Sequence, residues 1–299
     1  LAALLTLGCA AALALAYWLR ANSGDTPGQL VGFLPQGDST LVYIDVAALR
    51  RGGFLDLVSG SGEPEDQDYR SFVDSAKFDY RRDLDAIAAA WSGKDKYLVL
   101  RGRFDWSALI AYANRQGGSC GKSFCQVEGS QVDREISFYP LRRDLMALAV
   151  SPDPLAASRI RKQDTRLQGN LPSEPVWITL PAPVLRSSDW MPERARPFAA
   201  AFRDTQQIVF ALEAKANDLE LRTYVTCKDS VSAAALDTQL EQALSALRQG
   251  LAKQHIAANR ADVTGLLAGG AFRRQDNRVV GQWPVAREFV QTVLSGNAK

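Results

Sequence analysis

Histidine is all but missing from this chain: His255 is the single one among 299 residues. With it goes most of the chemistry that needs a general base, a haem ligand or a metal ligand near neutral pH. His255 itself follows a helix expected over 231–254, where a cation meets the negative end of the helix dipole. No C-x-x-C-H stands ready for covalent haem. Gly60-Ser61-Gly62 lacks the apolar helix and Lys of a phosphate loop, and Gly269-Gly270 leads into a strand, so both read as turns. Glu63, Glu65, Asp66 and Asp68 lack the alternating spacing and distal Glu of a calcium loop and read as a solvated loop. An excess of one charge is also absent: 35 basic against 33 acidic side chains leave +2, without the positive field that nucleic-acid binding requires. Arg81-Arg82, Arg142-Arg143 and Arg273-Arg274 read as solvated surface, with contact to anionic lipid the alternative for one of them. The expectation is a protein that is not an enzyme and holds no cofactor or metal.

The chain does have a long uncharged run at its start. Leu1 to Leu19 spell a helix of about 28 Å, enough to span the hydrocarbon core of a bilayer. Tyr17 and Trp18 close the run where amphipathic rings favour the headgroup region, and Arg20 marks the return to water. Ala14 and Ala16 make an A-x-A cleavage pattern and Gly8-Cys9 a partial lipobox, but we read the segment as a retained anchor. The uncharged stretch after Cys9 does not fit a lipoprotein, which turns polar at once. Gly8, Ala12 and Ala16 fall on one helix face, a stripe that lets a partner helix approach closely. A short basic piece before Leu1 is expected on the cytoplasmic side, with the body exported: membrane, single-pass, its C-terminal part periplasmic or extracytoplasmic.

Four cysteines fit an oxidising compartment. Cys120 and Cys125 bracket a tight turn and suit a local disulfide, Cys227 reads as a buried small hydrophobe, with pairing to one of those two the alternative, and Cys9 lies in the anchor.

The organisation expected is an anchor over 1–20, a tether over 21–33, a first α+β domain over 34–170 and a second over 171–299. In the first, STLVYIDV reads as a strand running into a short helix weakened by Gly52-Gly53, with Asp45 as its N-cap. Residues 69–91 read as one helix or two broken near Phe78, 96–104 as a strand, and 105–116 as a helix capped by Asp105. Strands at 123–128, 134–141 and 144–151 and a helix at 154–163 follow. The second half repeats the opening: LPSEPVWITLPAPVLR from Leu171 matches LPQGDSTLVYIDVAALR from Leu34 in its Leu-Pro, its apolar strand and its closing Leu-Arg. Strands at 207–215, 219–227 and 277–283 and helices at 231–254 and 286–294 complete it. Two similar sheet-plus-helix halves, an internal duplication, are thus expected side by side. The opening resembles those of exported bacterial proteins, over too few residues to imply a function.

Trp106 and Trp283 read as core, and Trp190, inside SSDWMPERARP, as the interface candidate. The function expected is an accessory or scaffolding subunit of a larger membrane complex, its partners integral membrane proteins and the lipid bilayer, with no nucleic acid. Two other readings stand beside it: a periplasmic module binding a small ligand or lipid between the halves, and an envelope hydrolase using two carboxylates.

Overall fold

A computed structural model of the chain describes residues 25–35, 37–55, 67–129, 134–163, 171–186, 202, 204–215, 218–255, 259 and 262–294. Among them is an α+β fold built on one large antiparallel sheet. The first half contributes β1 (Thr40–Ile44), β2 (Leu84–Ser92), β3 (Asp95–Gly102), β4 (Ser119–Gly121), β5 (Phe124–Glu128), β6 (Glu135–Arg142) and β7 (Leu145–Ser151). The second contributes β8 (Val176–Pro181), β9 (Thr205–Lys215), β10 (Asp218–Cys227), β11 (Ala271–Gln275) and β12 (Arg278–Val285). Helices α1 (Pro27–Val31), α2 (Val46–Arg51), α3 (Gln67–Ala76), α4 (Tyr80–Asp83) and α5 (Trp106–Arg115) precede α6 (Ala182–Arg186), α7 (Ser230–Lys253), α8 (Val263–Ala268) and α9 (Arg287–Leu294). The 12 strands run in the order β11-β12-β10-β9-β8-β1-β2-β3-β7-β6-β5-β4.

Read outward from the central β1–β8 pair, the halves show one order: β1-β2-β3-β7-β6 on one side and β8-β9-β10-β12-β11 on the other. Superposing Leu49-Arg50 on Leu185-Arg186 places Val42 on Ile178, its direct partner in the β1–β8 ladder. The same shift exchanges the flanking pairs Leu41↔Thr179 and Tyr43↔Trp177, as a two-fold axis through the Val42–Ile178 pair requires. The strand ends agree as well. Arg103 donates its backbone N–H to the Asp83 carbonyl (2.8 Å) and pairs with the Asp83 carboxylate (3.1 Å). Lys228 does the same with Asp204, at 3.1 and 2.9 Å. Gly102 N–H reaches the Asp144 carbonyl just as Cys227 N–H reaches that of Asn277.

One face of the sheet is covered by helices in both halves. Phe72 and Ala76 of α3 and Leu109 and Ala113 of α5 pack with Cys125, Phe138 and Met146. Ala233, Leu236 and Leu240 of α7 pack with Ile208, Val225 and Val279. Phe54, just after α2, crosses into the second half and is buried with Leu219, Val285 and Phe289, its ring beneath the Arg287 guanidinium. Trp283 lies over Gly270 and Gly281 and edge-on to Phe272, so any Cβ at those glycines would enter its ring.

Among the described residues the opposite face is roofed in the first half alone. Leu30, Val31 and Leu34, with Ala156, Ala157 and Ile160 around a 3-10 turn at Ala156–Arg159, lie on Ala86, Ala88, Ala90, Ala147 and Ala149. The alanine floor lets this thin roof sit close to the strands.

The structure corrects three expectations. The described part of the 21–33 segment is no tether: α1 opens with a capping box between Thr26 and Gln29 and buries Leu30 and Val31 completely. Residues 84–92 form β2 and not the second part of a helix, since tertiary pairing with β1 and β3 overrides the helical propensity of an Ala-rich segment. At 154–163 only the short 3-10 turn forms. The anchor expected over 1–20, with Gly8, Ala12, Ala16, Tyr17, Trp18 and Arg20, lies outside the described residues, within which no helix is long and apolar enough to cross a membrane.

Candidate functional site

On the face that α1 roofs in the first half, no described helix covers the second half, and the strands there carry polar side chains. Alternation along β9 and β10 puts Gln207, Val209 and Ala211 beside Thr226, Tyr224 and Arg222 on this face, and register adds Gln282 and Arg278 from β12. Arg222 is the hub. It meets Glu220 at 2.6 Å, Glu213 at 3.2 Å and Glu174 at 3.3 Å, three carboxylates around one guanidinium.

Glu174, in the Pro-flanked turn before β8, is buried and also accepts a 2.5 Å hydrogen bond from the Tyr224 hydroxyl. Burial, together with this carboxylate, raises the Tyr224 phenol above its ordinary value. Burial pushes the Glu220 carboxyl up too, but Lys215, Gln282 and Arg222 outweigh it and hold Glu220 below the usual carboxylate range. Both acids are therefore fixed by specific donors. Beside them a cavity of about 240 Å³ opens between Leu171–Glu174 and the Gln207, Tyr224, Thr226 and Arg278 side chains.

A second polar cluster closes the end of the first half. Asp83, the last residue of α4, is 6% exposed and binds Arg82 (3.0 Å) and Arg103 (3.1 Å) while accepting the Asp79 N–H. Burial alone would raise its carboxyl, yet the bonds from Arg82, Asp79 and Arg103 prevail and hold it down to about 2. Around this knot runs an open cleft of about 980 Å³, lined by Lys77, Arg82, Arg103, Arg143 and Trp106, among others.

The residues singled out in the sequence fall into several places. Cys120 and Cys125 face each other across the β4–β5 hairpin and are joined as a disulfide, with Lys122 and Ser123 supplying the left-handed residues of its turn. Asp45 caps α2 by accepting the Ala48 N–H at 2.7 Å. Cys227 is a buried thiol at the end of β10, raised by that burial. His255 sits just past α7 in a left-handed conformation (φ 52°). Trp106 donates to the Arg143 carbonyl at 2.9 Å and packs on Phe104. Trp190 and the acidic loop over 63–66 lie outside the described residues. Sequence reasoning missed Glu174 and Arg222, which meet only through the β8–β9–β10 pairing, and Asp83, which meets Arg103 only through the β2–β3 pairing. The one linear signal was polar residues at alternate positions of a strand, Glu220, Arg222 and Tyr224.

No known protein family matches the chain, and no curated protein matches it. Its fold is similar to that of the protein TP0453 in three crystal forms. Form III superposes with a TM-score of 0.52 at 10% identity, over 92% of this chain and 99% of that one. Form IV gives 0.51 at 9% identity over 89% and 96%, and form I gives 0.50 at 10% over 90% and 98%. At these identities the likeness is one of fold.

Proposed function

We propose that the chain is the exported part of a single-pass membrane protein that works without catalysis, as an accessory or scaffolding subunit of a larger membrane assembly. The observation that carries this reading is the unequal treatment of the two halves. The face roofed in the first half by α1 and the 3-10 turn is, in the second, open among the described residues and set with a pre-ordered array around Arg222. Polar groups already held in place lose little entropy on meeting a partner, so the array suits docking of a protein surface on this face. The disulfide supports an oxidising compartment for this body.

The matching strand order, the two-fold register at β1–β8 and the paired Arg103–Asp83 and Lys228–Asp204 contacts support an internal duplication whose copies differ, among the described residues, in what covers this face. A second reading, a small-ligand module, draws on the cavity beside Glu174; at about 240 Å³ it suits a small polar molecule and not a lipid. The hydrolase reading gains nothing from Asp83 and Glu220, since both carboxyls are held below their ordinary values and neither is poised as an acid.

The test is extraction of the full chain, tagged at its C-terminus, in mild detergent, followed by sizing and mass spectrometry. A stoichiometric set of integral membrane proteins is expected, and Thr226→Arg with Arg278→Glu on the open face should release it. Recovery of the chain as a lone monomer overturns the proposal.

A further inference from the structure

We infer that the Asp83 end of the sheet is a docking surface for the phosphate headgroups of anionic phospholipid, in the membrane that the anchor spans. The inference rests on the anchor reading of residues 1–20. In sequence Arg81-Arg82 and Arg142-Arg143 are remote; in the fold α4 and the β6–β7 hairpin bring both pairs to one end of the sheet, where Lys77 and Arg103 join them.

The chain itself comes back to this end. Asp25, the first described residue, pairs with Arg142, and its carbonyl accepts from Arg101 at 2.8 Å. Arg142 also binds Asp144 at 3.1 Å, and Asp144 lines the cleft with Arg143. From Arg20 to Asp25 an extended chain reaches about 17 Å at most. A bilayer holding residues 1–20 therefore lies within that reach of Asp25 and of the basic cleft beside it.

Charge decides which lipid fits. The three carboxylates of the cleft are already engaged: Asp83 is buried under Arg82 and Arg103, Asp105 caps α5 through the Ala108 N–H, and Asp144 holds Arg142. Among the described residues neither Lys77 nor Arg143 lies within ion-pair distance of a carboxylate. The Arg82 and Arg103 side chains, two-thirds exposed, are anchored at one side by Asp83 and keep further N–H groups for an incoming phosphate. Trp106 stands in the same wall, a ring type that favours the headgroup level.

Each cation held at an anionic surface strengthens attachment about fivefold, and salt weakens it. The experiment places the full chain in nanodiscs of phosphatidylcholine, with or without phosphatidylglycerol, and reads amide hydrogen exchange at residues 77–83, 103–107 and 142–145. Slower exchange at these segments in the anionic discs is expected, lost at high salt and lost in Lys77→Gln/Arg143→Gln, a variant that leaves the Asp83 knot intact. Exchange equal in both discs, or protection that persists in the variant, overturns the inference. So does equal protection by inorganic phosphate in phosphatidylcholine discs, which assigns the cleft to a free anion. Release of the chain from membranes by alkaline carbonate removes the anchor and the inference together. Retention with unchanged exchange removes the docking surface alone.

Discussion

Asp83 shows how much one buried side chain can govern. Its carboxylate holds Arg82 and Arg103, and its carbonyl fixes the Arg103 backbone. A carboxyl lowered to about 2 stabilises the fold in full above the ordinary aspartate value, and that contribution is lost as pH falls through about 2. Asp83→Asn should therefore cost about 2 kcal/mol at neutral pH, with wild type and variant converging in denaturant titrations as the buffer is taken from pH 5 toward pH 2. A gap that stays constant over this range would show that ionisation of Asp83 is not its source. At the other cluster, Tyr224→Phe and Glu174→Gln should be coupled by about 1.5 to 3 kcal/mol in a double-mutant cycle, the range for a hydrogen bond to a charged partner. Additive effects there would mean that the 2.5 Å bond is not energetically formed. None of this is written in the linear sequence, where Glu174 and Tyr224 stand 50 residues apart.

At the scale of elements, the local signals were the legible ones. Asp105 with the apolar stripe behind it marks α5, and the long 231–254 periodicity marks α7, because an α-helix is specified by neighbours within a turn or two. The C-x4-C spacing marks the β4–β5 hairpin for the same reason. Cys120→Ser with Cys125→Ser should lower stability by about 2 kcal/mol on the chain-entropy account of so small a loop, read as a lower urea midpoint. An unchanged midpoint would show that the cross-link does not restrict the unfolded chain enough to stabilise the fold. Elements set by distant partners were misread. LDAIAAAWS has helical propensity, and only the ladders to β1 and β3 make it a strand. The Thr26–Gln29 capping box was present in the sequence, yet its five-residue helix is too short to persist without the alanine floor beneath it.

The whole molecule is joined by the β1–β8 ladder and by Phe54, buried between strands and helices of the second half. One sheet crossing both halves should unfold as one unit. Far-UV and near-UV signals are expected to follow a single urea transition; two separated transitions would mean that the halves are independent. Phe54→Ala should cost about 3 to 5 kcal/mol, as for a buried aromatic truncated in a core, and should bring the second half's Trp283 fluorescence change to lower denaturant along with the rest. A loss confined to the first half would place Phe54 outside the joint.

The sequence by itself determined the α+β class, the capped helices, the hairpin disulfide and the Leu-Pro to Leu-Arg segment that opens each half, since these depend on residue types and on spacings of a few positions. Tertiary structure alone decided that the halves share one 12-stranded sheet, that β2 is a strand, and that one half is roofed while the other is open among the described residues. It also decided the two polar clusters. The physical reason is the same in each case: strand pairing and ion pairing are contacts between residues tens to more than a hundred positions apart, and a linear pattern carries no term for which distant partner will be met.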